Sequence, residues 1–260
     1  MHIVYARCKN PVLILASIGL LVVTGCSDPM DPVTPDADMT GDPDASMPDP
    51  DASPSPDAGM PQPQPLTVAS GLRHNCVILP SRTLKCWGRN WAGQLGLGDR
   101  ESRYVSPALP AIEFPDDRYT TRVATGHDHT CVILDDGSVR CWGHNDRGQL
   151  GIESAVDAWG DDLGELASNV PAVDLGEGRT AVEIAAGTVH TCVLLDDETV
   201  KCWGAGPYLG LGLPDGTVGI DPGTMGDALL AVELGAGRTV KHIATGGPFT
   251  CAIIDNVDIL

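Results

Sequence analysis

Nine cysteines carry the clearest chemical spacing in this 260-residue sequence: Cys8, Cys26, Cys76, Cys86, Cys131, Cys141, Cys192, Cys202 and Cys251. Six of them form three pairs ten positions apart, Cys76–Cys86, Cys131–Cys141 and Cys192–Cys202. None has the Cys-x-x-Cys spacing of a zinc site or a dithiol redox centre. Regular pairs in an exported chain suit structural disulfides instead. Cys251 repeats the first member of a pair without a second, so it is expected to be unpaired.

The histidines and carboxylates give weaker signals. His74, His129 and His190 stand at one repeated position, as do Trp87, Trp142 and Trp203. Repetition indicates a task done once per unit, such as a hydrogen bond to a neighbouring strand or packing between units, whereas an active site brings different residues together. His127, Asp128 and His129 would suggest a metal, since alternate strand positions share a face, but a third ligand such as His144 is not fixed by the spacing; no metal is expected. Asp135-Asp136 and Asp196-Asp197 resemble paired carboxylates, yet neighbouring strand residues point apart and turns favour Asp. No nucleophile elbow, phosphate-binding loop or HExxH motif occurs. No catalytic residue and no cofactor are therefore assigned. Tyr, Trp and Arg are the types enriched where proteins grip one another. That makes Arg89, Trp91, Asp146, Arg147, Trp159 and Tyr208, in or after the Trp-Gly turns, the candidate interaction surface.

The elements that must position these residues are short strands. If Cys131 faces Cys141, then Val132 faces Arg140 and Ile133 faces Val139, leaving Asp135-Asp136-Gly137 as a three-residue loop. Such a loop needs positive φ at its third place, which glycine adopts without a Cβ clash. Cys131, Ile133, Val139 and Cys141 then share one face, close enough to bridge. Pro80-Ser81-Arg82 and Asp196-Asp197-Glu198 are poorer turns. The first cysteines recur at 76, 131, 192 and 251, a period too long for common helical arrays, and its Gly-bounded apolar runs look like strands. A further strand is expected at Pro171-Ala-Val-Asp-Leu175, echoed by Leu230-Ala-Val-Glu-Leu234. Several short strands per unit fit one blade of a β-propeller.

Before the repeats, residues 1–10 carry Arg7 and Lys9, and an apolar run follows from Pro11 to Val23. Thirteen residues rise only about 20 Å as a helix, short for a bilayer span but suited to a secretory signal. Val23-Thr24-Gly25-Cys26 resembles a bacterial lipobox. The resemblance implies a signal peptide at 1–25, cleavage before Cys26, and lipidation of its thiol. Ser27, rather than an aspartate, after the cysteine implies the outer membrane of a two-membrane bacterium. Residues 27–65 hold nine Asp and eleven Pro and no Lys, Arg or Glu, which makes −9 of the chain's −19. With little apolar surface to bury, the segment 26–65 is expected to be a disordered tether, reaching at most about 120 Å. Residues 66–260 carry −12, which repels phosphate backbones and argues against nucleic acid.

The repeats themselves resemble a known family. Val68-Ala-Ser-Gly-Leu-Arg-His74, Val123-Ala-Thr-Gly-His-Asp-His129 and Ile184-Ala-Ala-Gly-Thr-Val-His190 are similar to the regulator of chromosome condensation repeat. So are Trp87-Gly-Arg-Asn-Trp-Ala-Gly-Gln-Leu-Gly96 and Trp142-Gly-His-Asn-Asp-Arg-Gly-Gln-Leu-Gly151. Trp203-Gly-Ala-Gly-Pro-Tyr-Leu-Gly210 departs by being two residues shorter, and Phe249 replaces the histidine in the fourth unit. The resemblance implies an all-β fold, an incomplete propeller of about three and a half blades out of seven. Its units fall near 66–120, 121–181, 182–240 and 241–260. Because the fourth unit stops before its second cysteine, the chain is expected to be a fragment or truncated product.

Family members include partners of small GTPases and secreted inhibitors of enzymes. The eponymous nucleotide-exchange activity does not carry over to an exported disulfide protein. The reading that results is a lipid-anchored envelope module, without evident catalysis, that binds a protein at the cell surface or in the periplasm and the bilayer through acylated Cys26. The alternatives are an envelope hydrolase or lyase using a propeller cleft, and a purely structural scaffold.

Overall fold

A computed structural model describes residues 67–254 and the strand at 258–259. The expected signal, Cys8, Cys26 and the tether lie outside the described residues. All the regular structure among them is strand or short 3-10 turn, in four antiparallel sheets. The first sheet holds β1 (Thr67–Ser70), β2 (His74–Ile78) and β3 (Leu84–Gly88). The second holds β4 (Thr120–Thr125), β5 (His129–Leu134), β6 (Val139–His144) and β7 (Ala158–Trp159). The third comprises β8 (Ala181–Ala186), β9 (His190–Leu195), β10 (Val200–Ala205) and β11 (Thr217–Val218). The fourth comprises β12 (Val240–Gly246), β13 (Phe249–Ile254) and β14 (Asp258–Ile259). Strands follow one another as a meander within each sheet, and β1, β4, β8 and β12 abut in that order as the inner strands. This is a partial propeller: one blade per sequence unit.

The register inside each blade follows from the cysteine spacing. Cys76 faces Cys86, Cys131 faces Cys141, and Cys192 faces Cys202, and each pair is joined through sulfur. The loop between β5 and β6 closes with Leu134 N donating to Ser138 O at 2.9 Å, and Gly137 takes φ 77°. Arg82 and Glu198 hold the same left-handed position at φ 64° and 65°. The position matters because its carbonyl reaches the next blade: Ala181 N donates to Gly137 O and Val240 N to Glu198 O.

Alternation sends the two faces of each hairpin into two different layers of core. Val132, Leu134 and Trp142 pack with Ile78, Leu84 and Leu95 of the first blade. Cys131, Ile133, Val139 and Cys141 pack with Ile184, Val193 and Trp203 of the third. Both faces of β5 and β9 are therefore buried. Among the described residues the end blades are less covered: Trp87 is half-buried where Trp142 and Trp203 are wholly buried, and Phe249 is 70% exposed.

The fourth strand of a blade differs from the expectation. Pro171–Leu175 and Leu230–Leu234 are not strands; each makes one ladder-like bond, Val173 N to Val139 O and Val232 N to Val200 O. The outer strands are the two-residue β7 and β11, and in the first blade a single bridge between Gly88 and Arg103 takes that place. Among the described residues, no helix is long and apolar enough to cross a membrane.

Candidate functional site

The repeated residues build the seams between blades. His74 Nε2 lies 2.9 Å from Thr130 Oγ1, His129 Nε2 3.0 Å from Thr191 Oγ1, and His190 Nε2 2.8 Å from Thr250 Oγ1. Thr130 and Thr191 donate their own hydroxyl hydrogens to the carbonyls of Gln94 and Gln149, so each accepts from the imidazole and Nε2 carries the proton. The same two carbonyls accept Nε1–H of Trp142 and Trp203 at 3.1 and 3.0 Å. Each clasp runs from one blade to the next, not to a strand of its own sheet. Burial pushes His74 down to about 4, His129 to about 3 and His190 to about 4, so the three imidazoles are neutral near pH 7.

The glycine that precedes each histidine is required by the same packing. A Cβ on Gly126 would lie 2.1 Å from His129 Cε1 and 2.5 Å from Gly187 O of the third blade. The inner-strand ends thereby come together around an axial cavity of about 500 Å³, lined among others by Leu72, Thr125, His127, Thr188 and Thr245.

At the rim between the first two blades, non-repeated residues converge. Asp128, 7% exposed, accepts at Oδ1 from Trp91 Nε1 at 2.9 Å and Gln94 Nε2 at 3.0 Å. Its Oδ2 lies 2.5 Å from His127 Nδ1. A buried carboxylate is costly unless it is bonded, and these three partners satisfy it. The bond to Asp128 fixes the indole of Trp91, whose ring lies 4.9 Å from that of His144, while the Arg89 guanidinium sits 5.6 Å away. Asn90 and Gln94 shape the loop that carries Trp91: Asn90 Oδ1 accepts from Leu95 N and Gln94 Oε1 from Ala92 N. Asn145 and Gln149 do the same in the second blade. The third unit, which lacks both, turns instead through a 3-10 segment, Gly206–Tyr208.

The expected surface therefore divides. Arg89 and Trp91 meet at one rim, with Trp91 40% exposed. Asp146 and Arg147 stand nearby through His144, whose Nδ1 is 3.4 Å from Asp146, and Arg147 pairs with Asp146. Trp159 is a packing residue: it lies in β7 opposite Gly143, half-buried against both core layers, with Nε1–H donating to Leu166 O. Tyr208 lies on the third blade beside His190, ring centroids 5.9 Å apart. His127 and His129 diverge, one to Asp128 and the other into the seam, and no group placed to hold a metal occurs among the described residues. Asp135 and Asp136 pair with Arg118, and Asp136 also caps Ser138. Arg73 carries no signal of its own in the sequence, and Asp128 one only toward a metal. Aligning the repeats exposes them, because the place before the repeated histidine reads Arg73, Asp128, Val189.

Comparison with known proteins agrees with this architecture. Two models of the regulator of chromosome condensation (RCC1) repeat match, one over residues 121–149 and 181–208, the other over 86–133 and 136–194. The ultraviolet-B receptor UVR8 of Arabidopsis thaliana is 29% identical over 195 residues, covering 75% of this chain and 40% of the receptor. The probable E3 ubiquitin-protein ligase HERC4 of Homo sapiens is also 29% identical, over 74% of this chain and 16% of the ligase. The crystal structure of Prp20p from Saccharomyces cerevisiae superposes with a TM-score of 0.54 at 22% identity, over 70% of this chain and 41% of that one. The chain spans less than half the length of each of these proteins. The chain carries RCC1 repeats and folds as a partial propeller of that kind.

Proposed function

We propose that the chain is a protein-binding module displayed at a bacterial cell envelope, anchored through a lipidated Cys26 and held off the membrane by the Asp/Pro-rich tether. The observation that carries the binding reading is the rim at Trp91. It gathers residues that differ from blade to blade and holds an aromatic ring rigid while 40% of it faces solvent. A fixed aromatic loses little entropy on contact, which is why such residues dominate interfaces. The seam explains the repeated histidines and tryptophans without recourse to catalysis, and Asp128, its oxygens already occupied, serves as a brace for Trp91. Relatives support the same class: Prp20p is described by its binding to Gsp1p and histones, and others include a receptor and a homologue of a GTPase regulator. Anchoring rests on the sequence alone, on Val23-Thr24-Gly25-Cys26 and the segment that precedes it.

The test is affinity capture from envelope extracts with the full chain and its Trp91→Ala variant. A protein retained by the first and lost with the second supports the reading. Equal retention by both, or reproducible retention of carbohydrate alone, rejects it. Anchoring is tested separately by incorporation of labelled fatty acid, which should disappear in Cys26→Ser.

A further inference from the structure

The outer strands of the second and third blades run on into the same small structure. Gly160 follows β7 and Gly219 follows β11, at φ 102° and 96°, and a Cβ on either would lie 2.7 Å from a glycine carbonyl of the preceding blade, Gly93 O or Gly148 O. Three residues further on, each chain turns. In the second blade Glu165 N donates to Asp162 O at 3.1 Å and Gly164 takes φ 94°, which makes residues 162–165 a type II turn with Leu163 at its second place. In the third blade Gly223 takes φ 78° and Thr224 Oγ1 donates to Asp221 O at 2.7 Å, so Pro222 holds the place of Leu163. The residue that closes each turn also accepts from the glycine after the strand: Gly160 N donates to Glu165 Oε2 at 3.2 Å and Gly219 N to Thr224 Oγ1 at 3.1 Å.

Proline suits the second place of a type II turn because its ring presets the required φ, and it lowers the entropy of the unfolded chain. Leucine offers neither gain, and its side chain adds almost nothing to packing, being 97% exposed. The turn belongs to the second blade, which has a neighbour on each side, so this exposure does not come from an end of the propeller. Its mount is rigid. Arg100 Nη2 pairs with Asp161 Oδ2 at 2.5 Å, Asn169 Nδ2 donates to Gly164 O at 2.8 Å, and Leu166 bridges to Leu97 of the first blade. A leucine held in this way has little backbone entropy to lose on contact.

Carboxylates surround the tip. Asp161, Asp162 and Glu165 stand within two residues of Leu163, and residues 66–260 carry −12. Arg100 takes up Asp161, while Asp162 is exposed. An apolar tip in an acidic collar, on an acidic body, is complementary to an apolar pocket with lysine or arginine at its mouth. We propose that Leu163 is the anchor by which this chain enters such a pocket on a partner protein, with Asp162 pairing at the mouth. The proposal rests on the protein-binding reading and names the partner's chemistry. The base of the turn packs on Gly93, in the loop that carries Trp91, so the anchor and the fixed indole stand on one pair of loops. A second copy of this chain, or an anionic bilayer, would bring carboxylate or phosphate against the collar.

Photoreactive benzoylphenylalanine placed at position 163 of the full chain, and separately at position 222, tests this in envelope extracts. Irradiation should join the probe at 163, and not the probe at 222, to a protein whose adducted peptide is apolar with lysine or arginine beside it. Leu163→Pro keeps the turn, as Pro222 does in the third blade, and should lower retention of that protein by about thirtyfold or more, with unfolding stability unchanged or raised. Asp162→Lys should lower it by about threefold or more, and so should several hundred millimolar salt. If circular dichroism shows Leu163→Pro misfolded, Leu163→Ser carries the same expectation. Unchanged retention by a folded Leu163 variant, equal adducts from 163 and 222, or adducts only with lipid or with a second copy of the chain overturn the proposal. A protein lost with Trp91→Ala yet kept by Leu163→Pro removes this anchor and leaves the broader reading standing. If the unaltered chain retains no protein, the broader reading falls as well.

Discussion

At the residue scale, two tryptophans of similar promise separate on inspection of what each touches. Trp91 has its N–H on Asp128 and part of its ring in solvent, whereas Trp159 packs against both core layers. Trp91→Ala removes one hydrogen bond and some exposed surface, so Asp128 keeps Gln94 and His127 as partners. A loss of about 1 kcal/mol in urea-unfolding stability is expected, with the native circular dichroism spectrum kept. Trp159→Ala opens a void between layers and should cost about 3 kcal/mol or more. The reverse order would make Trp91 the packing residue and remove the argument for the rim. Arg89, Trp91, Asp146 and Arg147 could be chosen from type and position together, because they stand in or after the Trp-Gly turns. Arg73 and Asp128 could not. Arginine and aspartate are ordinary on surfaces, and only the register across blades shows that Asp128 holds Trp91.

At the element scale the hairpin is the unit. Ten-residue spacing between cysteines, with Gly137 at the third loop position, sufficed to set the strand register of β5 and β6. Chemistry and geometry constrain each other tightly there. The outer strands were illegible for the opposite reason: β7 and β11 have two residues each, too few for any alternation, while Pro171–Leu175 has strand-like composition but makes one ladder bond only. The hairpin also carries a stability prediction. Replacing Cys131 and Cys141 together by alanine frees an eleven-residue closure in the unfolded chain and should cost about 3 kcal/mol in urea unfolding. Gly137→Ala should add a separate loss of about 1 kcal/mol or more, since it places a Cβ at positive φ and 2.6 Å from Thr180 Cβ. If Gly137→Ala is neutral, the loop's carbonyl contact with Ala181 tolerates a different turn.

At the scale of the whole molecule, the seams couple the blades, and the coupling is pH-dependent. Three imidazoles stand in three consecutive seams, each buried and each neutral because burial holds it at about 4, 3 and 4. Facing His74 are Asp128, which favours its charged form, and His127 and His129 across the seam; facing His129 are His74, His127, His144 and His190, all of which disfavour it. In the unfolded chain the three titrate near the ordinary 6.5. Below pH 6.5 the unfolded state therefore takes up protons that the folded state refuses until pH falls toward 4. Stability is complete above that range and is lost as pH falls through it. Near pH 5, unfolding should take up roughly two to three protons, read from the slope of unfolding free energy against pH. Replacing His129 by glutamine, whose amide can still donate to Thr191, should remove about one proton from that slope. A slope unchanged by His129→Gln, or stability that rises on acidification between pH 6.5 and 4, would show that the seams do not depend on neutral imidazole.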